Sequence, residues 1–292
     1  MMARELFRGE SMKRQQFIWL SVISVGILLS IVTAQTSVAI SLTSPELAHA
    51  PQFDDPYSDF RNVRYSNAGL LSEKDEIKLG IQLHRQVTKK YNLTDVGLER
   101  IERLGQRCAS ASVRPNLLYK FHVVQMKEIN GFSLPGGHIY VTSALLKMAN
   151  DNELASVLCH EVGHIAARHS LKTLKKRQEY NEIAKSIGDI TSVAGDLGRQ
   201  VGETIGQLAG EGILTFHSQD EEREADFLGV RDMSKAGFDP QGMISMFQKL
   251  QKVEDQNPSL LGSLFSDHPD VQERIDNTRY EITRMRGQNR LR

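Results

Sequence analysis

Cysteine is scarce in this chain of 292 residues: there are two, too few for a disulfide scaffold or a thiolate metal cluster. Eight prolines and 22 glycines exclude a collagen-like repeat. No sign of charge dominates. Lys and Arg total 36 and Asp and Glu total 36, which argues against a dedicated nucleic-acid binder. Long apolar runs are lacking with one exception near the N-terminus, and a mean hydropathy of −0.36 excludes a polytopic membrane protein. What is there is an ordinary globular composition, 40% hydrophobic and 25% charged, at a length that suits one domain or two.

The exceptional run is Phe17 to Val32. Lys13 and Arg14 precede it, and Val32-Thr33-Ala34 follows with small residues where a signal peptidase reads. This order of charged, apolar and small residues is that of a secretory signal. Residues 1–34 are therefore expected to be a cleaved signal peptide, with an uncleaved N-terminal anchor as the alternative. No Cys follows the run, which excludes a bacterial lipoprotein anchor. Residues 35–70 carry Pro45, Pro51 and Pro56 and read as a linker or an arm wrapped over the surface. Residues 71–292 are the remaining domain. Export permits a disulfide, but Cys108 and Cys159 are expected to be two buried free thiols, because Cys159 sits inside an apolar helix.

Ser72 with Glu73, Asp75 and Glu76 opens a helix that runs to about Lys90, and a second helix covers about 95–110. Leu118 to Val124 and His138 to Val141 have strand composition, with the turn-rich stretch Asn130 to Gly137 between them. From Ser143 onward the chain is mostly helical in pattern. Within residues 188–212, Gly198, Gly202, Gly206 and Gly210 recur at every fourth position. That spacing predicts a tight helical hairpin or a loose segment, with a lid over the active site as the sharper alternative.

Chemistry enters at His160-Glu161-Val162-Gly163-His164. On a helix, positions i and i+4 share a face, so both imidazoles can reach one metal ion, while Glu161 can hold a water without ligating the metal. The surrounding residues, Leu154, Ala155, Val157, Leu158, Val162, Ile165 and Ala166, are apolar on nearly every side. Such a helix is buried, and buried His and Glu need partners. Asn150 with Glu153 resembles a capping box that starts this helix. A catalytic zinc needs a third protein ligand and an open position. Glu222 is the best candidate, with Asp226 one turn later accepting a hydrogen bond from a ligand imidazole. Spacing leaves Glu221 and Glu224 open as competitors. His138, His169 and His217 are expected in core or surface roles, and His49, His84 and His122 have no evident chemistry.

His160-Glu-x-x-His164, then Glu222-x-x-x-Asp226, then His268-Pro269 with Arg274 appear in that order on predicted helices. Here the chain resembles the zinc metallopeptidase family of the CAAX prenyl protease and HtpX, in its periplasmic branch of BepA and LoiP type. The resemblance covers about residues 70–285. It includes Leu71-Ser72 with Glu76 and Leu79-Gly80, Asn130 to Gly137 with Tyr140-Val141, and Arg168 with His169. It implies a helix-rich α+β, gluzincin-like domain with a small sheet and an edge strand beside the metal helix. It implies one Zn2+ held by His160, His164 and Glu222, and Glu161 as general base. The strand with Gly137, His138, Ile139 and Tyr140 would be the edge on which an extended substrate adds.

The resemblance further places His268 near the metal, where it would assist catalysis or block the open position. The plain alternative is a helix-start His beside a Pro suited to the first turn. One departure is Gln219, where the family usually has Arg, and this touches a local ion pair rather than the metal site. The function implied is an endopeptidase acting on unfolded or misfolded exported or membrane-associated proteins. It would be periplasmic in a bacterium, or anchored at the inner membrane if the N-terminal segment stays. The alternatives are a chaperone-like binder with a structural zinc and an anchored processing peptidase with one substrate. Helical repeats for docking to a large assembly are not read in the chain.

Overall fold

Ser72 caps the first helix. Its hydroxyl accepts the Asp75 N–H, and Glu73, Asp75 and Glu76 sit at the positive end of the helix dipole. The computed structural model describes residues 55–66, 70–176, 217–261 and 271–289. The expected signal or anchor, the glycine-spaced segment and His268 lie outside these residues. The elements in chain order are α1 (Glu73–Lys90), β1 (Leu93–Thr94), α2 (Leu98–Ala111), β2 (Lys120–Val124), β3 (Gly131–Leu134) and β4 (His138–Thr142). Helices follow: α3 (Ser143–Met148), α4 (Asp151–Ala167), α5 (His169–Lys176), α6 (Gln219–Lys235), α7 (Gln241–Gln256) and α8 (Val271–Asn289). A small sheet among many helices is the expected α+β class.

The sheet has the order β1-β2-β4-β3. Strand β2 runs parallel to β4, with Lys120 opposite His138 and His122 opposite Tyr140, while β3 and β4 form an antiparallel hairpin. Its loop, Pro135 to Gly137, needs positive φ at Gly136 (78°) and Gly137 (101°), which glycine adopts without strain. Side-chain alternation then sorts the faces. Phe121, Val123, Ile139 and Val141 join the core with α2 and α4. Val124, Leu134 and Tyr140 pack instead with Leu79, Leu83 and Val87 of α1 and with Leu171 and Leu174 of α5. Gly80 lets α1 lie against the hairpin loop, since a side chain there would collide with the Pro135 carbonyl.

This topology corrects the edge-strand expectation. Strand β4 lies in the sheet interior, paired on both sides, and all five of its residues are buried. Gly137 is buried as well, and its carbonyl accepts the Lys120 N–H. The hairpin folds β3 back over the side of β4 that alternation alone leaves open. Gly137, His138, Ile139 and Tyr140 therefore line no free edge, and β3 occupies the sheet edge.

The helix α4 is buried from Glu153 through Ala167, and Asn150 and Glu153 form the expected reciprocal capping box. Cys108 and Cys159 are also corrected: they form a disulfide joining α2 to α4, with Cα atoms 5.0 Å apart. Both residues are fully buried, as expected of thiols. What the sequence does not show is that α2 and α4 face each other. Within the expected arm, Tyr57 is buried against Phe227, their ring centroids 5.2 Å apart, and Arg61 pairs with Glu281 of α8 at 2.8 Å.

The disulfide closes a loop across a sequence separation of 51 residues. Its loss through a Cys108→Ala, Cys159→Ala double substitution is expected to lower unfolding free energy by about 4 kcal/mol on loop-closure entropy alone. Urea denaturation of both forms checks this. Unchanged stability, together with two thiols titrating in the unfolded wild type, would contradict the pairing.

Candidate metal centre

Two helices each present an i, i+4 pair to the other. His160 and His164 project from α4, and Glu222 and Asp226 from α6. The three candidate ligands converge. His160 Nε2 lies 2.9 Å from His164 Nε2, and Glu222 sends one oxygen to each imidazole at 3.3 Å. All three residues are buried, with exposures between 2% and 8%. Ligand atoms about 2.0–2.1 Å from a tetrahedral ion stand roughly 3.3 Å from one another, so this spacing fits a metal ion at the centre. Glu161 adds a second sign of fit. It is 1% exposed, and its Oε1 has no hydrogen-bond partner among the described residues. A buried carboxylate oxygen left so is costly unless a water or substrate proton meets it.

Each imidazole is held from behind. His160 Nδ1 bonds Asp226 Oδ1 at 2.9 Å, as expected of that carboxylate. Arg274 of α8 grips Asp226 from the other side, with two hydrogen bonds of 2.7 Å. The Asp226 carboxyl is buried, which works against its charge, but Arg274 and His160 prevail and hold its pKa below the ordinary value. For His160, burial opposes the cation, while Asp226 and Glu222 outweigh it and raise the pKa to about 10. The site thus collects enough negative charge to hold a cation.

The second support was not legible in the sequence. His164 Nδ1 meets His169 Nδ1 at 2.9 Å, and His169 Nε2 meets Glu224 Oε2 at 2.9 Å. Burial first, then the neighbouring His164, drives the His169 pKa well below normal, so this ring is neutral. A neutral His169 can accept the His164 Nδ1–H and donate its own Nε2–H to Glu224. That leaves His164 Nε2 with the lone pair a metal needs. Arg168 makes the geometry. It ends α4 at a left-handed φ of 59°, and the turn brings His169 back beside His164. His217 stacks on His164 with centroids 3.9 Å apart. His169 and His217 thus belong to the site rather than to a generic core or surface.

The competing acids now have separate places. Glu221 closes a capping box with Ser218 at the start of α6. Glu224 supports His169. Only Glu222 points between the two imidazoles. Spacing could not separate these three, because all lie within one turn and a half of one helix.

Replacing His169 by Leu removes the acceptor behind His164, and metal affinity is expected to fall 10–100-fold. Competition against a chelating dye measures it. Affinity within twofold of wild type would show that the His164–His169–Glu224 chain is packing alone.

Comparison with known proteins follows the same outline. The chain is 28% identical over 247 residues to the Beta-barrel assembly-enhancing protease of Escherichia coli (strain K12), covering 81% of this chain and 50% of that protein. It is 31% identical over 162 residues to Metalloprotease YcaL of the same strain, covering 56% of this chain and 61% of YcaL. It is 31% identical over 159 residues to Metalloprotease LoiP, covering 54% and 61%. The chain therefore spans about half to three fifths of the length of these relatives. The pattern of Peptidase family M48 matches residues 98–282, which include both ligand helices and Arg274. The chain belongs to Peptidase family M48.

Proposed function

We propose that the chain is a zinc-dependent endopeptidase that cleaves unfolded or misfolded proteins of an exported or membrane-associated compartment. The observation that carries the reading is the convergence of His160, His164 and Glu222 beside a buried Glu161 oxygen that has no partner among the described residues. Two imidazoles and one carboxylate suit zinc and leave a fourth position for chemistry. The names of the matched relatives support a protein substrate. The Cys108–Cys159 disulfide supports export, since such bonds persist in oxidising compartments.

His160, His164 and Glu222 would hold the ion, which when bound lowers the pKa of water and polarises the scissile carbonyl. Glu161 takes a proton from the attacking water and passes it to the departing amine. Asp226 and His169 keep the two imidazoles in one tautomer and orientation throughout. His268 is assigned the second donor to the developing oxyanion, on the family resemblance alone. Extended substrate would add to β3, the edge strand. Gly131 of β3 lies close against Val157, which stands one turn before Glu161 on α4. Main-chain pairing on that edge would bind substrate with little regard to sequence, which suits unfolded chains.

The test is cleavage of unfolded casein by zinc-loaded protein beside Glu161→Gln. The variant is expected to keep its zinc and lose at least about 100-fold in rate, the lower range for one general base. Equal cleavage by both would overturn the assignment of Glu161. Zinc binding with no cleavage by either would favour a chaperone-like binder.

A further inference from the structure

A second histidine cluster lies on the other face of the sheet. His122 of β2 and His138 of β4 share the face that α1 covers, because Lys120 pairs with His138 and His122 with Tyr140 in the parallel register. His84 comes down from α1, one turn after Gly80, the residue that seats this helix on the hairpin loop. Each of the three offers a ring nitrogen, and these nitrogens all lie within 4.8 Å of one another. We propose that His84, His122 and His138 form a second site for a divalent transition-metal ion of the zinc, copper(II) or nickel(II) class, which fastens α1 to the sheet.

The three rings stack on one another, with centroids 4.6, 4.7 and 5.3 Å apart, and this brings their nitrogens together. His122 Nε2 and His138 Nδ1 approach to 3.1 Å. Two nitrogens bound to one zinc stand roughly 3.3 Å apart, and His160 and His164 show the same close approach at 2.9 Å. His84 Nδ1 lies 2.7 Å from the Tyr140 hydroxyl. With its Nδ1–H donated to that oxygen, the other ring nitrogen keeps the lone pair, the arrangement that metal-binding histidines use. Three imidazoles with no carboxylate ligand beside them among the described residues suit borderline-soft ions rather than Ca2+ or Mg2+.

The surroundings keep the rings neutral and ready. Burial first, then His84 and the other neighbours, lowers His122 to about 4, and burial with His84 and His122 lowers His138 to about 3. Lys120, exposed on the same strand, adds to this repulsion of protons. His138 is 3% exposed, while His84 and His122 are half-buried, so an ion can enter from the His84 side. Among the described residues, none of the three hydrogen-bonds to the candidate ligands on α4 and α6, and the two clusters share no residue.

The test uses the full chain without a polyhistidine tag, stripped with chelator, reloaded with Zn2+ and desalted. Metal analysis is expected to give about two zinc ions per chain in the wild type. His84→Gln and His122→Gln should each lower this by about one, and Glu222→Gln should lower it by one independently. His84 is half-buried near the surface, so His84→Gln keeps the fold, checked by circular dichroism. As a second readout, Co2+ added to Glu222→Gln should give the visible absorption of a tetrahedral site, absent from the Glu222→Gln, His84→Gln double variant. One zinc in the wild type, unchanged by His84→Gln, would overturn the proposal, as would identical Co2+ spectra from the two variants.

Discussion

The buried pair of Arg274 and Asp226 is the constraint on which the rest of the site depends. Both side chains are nearly inaccessible, and the guanidinium meets the carboxylate with two bonds of 2.7 Å. Removing one partner of such a pair leaves an uncompensated charge in the core, at a cost of about 3–5 kcal/mol. This pair also joins three helices. Arg274 comes from α8, Asp226 from α6, and the Asp226 carboxylate reaches across to His160 on α4. Helix packing and imidazole orientation are therefore one interaction seen from two sides.

The two imidazoles are supported differently. His160 leans on a carboxylate already neutralised by an arginine. His164 leans on a neutral His169, which passes the bond to Glu224. Both routes leave Nε2 facing the centre. The disulfide between α2 and α4 anchors the helix one residue before His160, on the side toward the core. A helix so fixed would need little reorganisation on binding an ion, as the proposed preorganised site requires.

Much of this was legible in the residues because it rests on short-range rules. The capping box at Asn150, the apolar surround of α4 and the i, i+4 pairs follow from local helix rules alone. Asp226 was readable because a ligand imidazole needs an acceptor behind it. What depends on distant segments meeting was not readable. The sequence gives no sign that α2 faces α4, so Cys108 and Cys159 read as free thiols. Strand order is likewise non-local, and β4 read as an edge although the hairpin places β3 outside it. His169 hides behind a helix end, since only the left-handed turn at Arg168 returns it to His164. Arg168 takes this left-handed position in place of the usual glycine and pairs there with Glu76 of α1 at 3.4 Å.

The central claim is that one ion sits between α4 and α6, held by two imidazoles and one chosen carboxylate. X-ray diffraction from zinc-loaded crystals, with data collected on both sides of the zinc absorption edge, tests it most directly. The account predicts an anomalous peak about 2.0–2.2 Å from His160 Nε2, His164 Nε2 and a Glu222 oxygen, with Glu161 unligated. A peak ligated instead by Glu221 or Glu224, or no peak between the two helices, would contradict it.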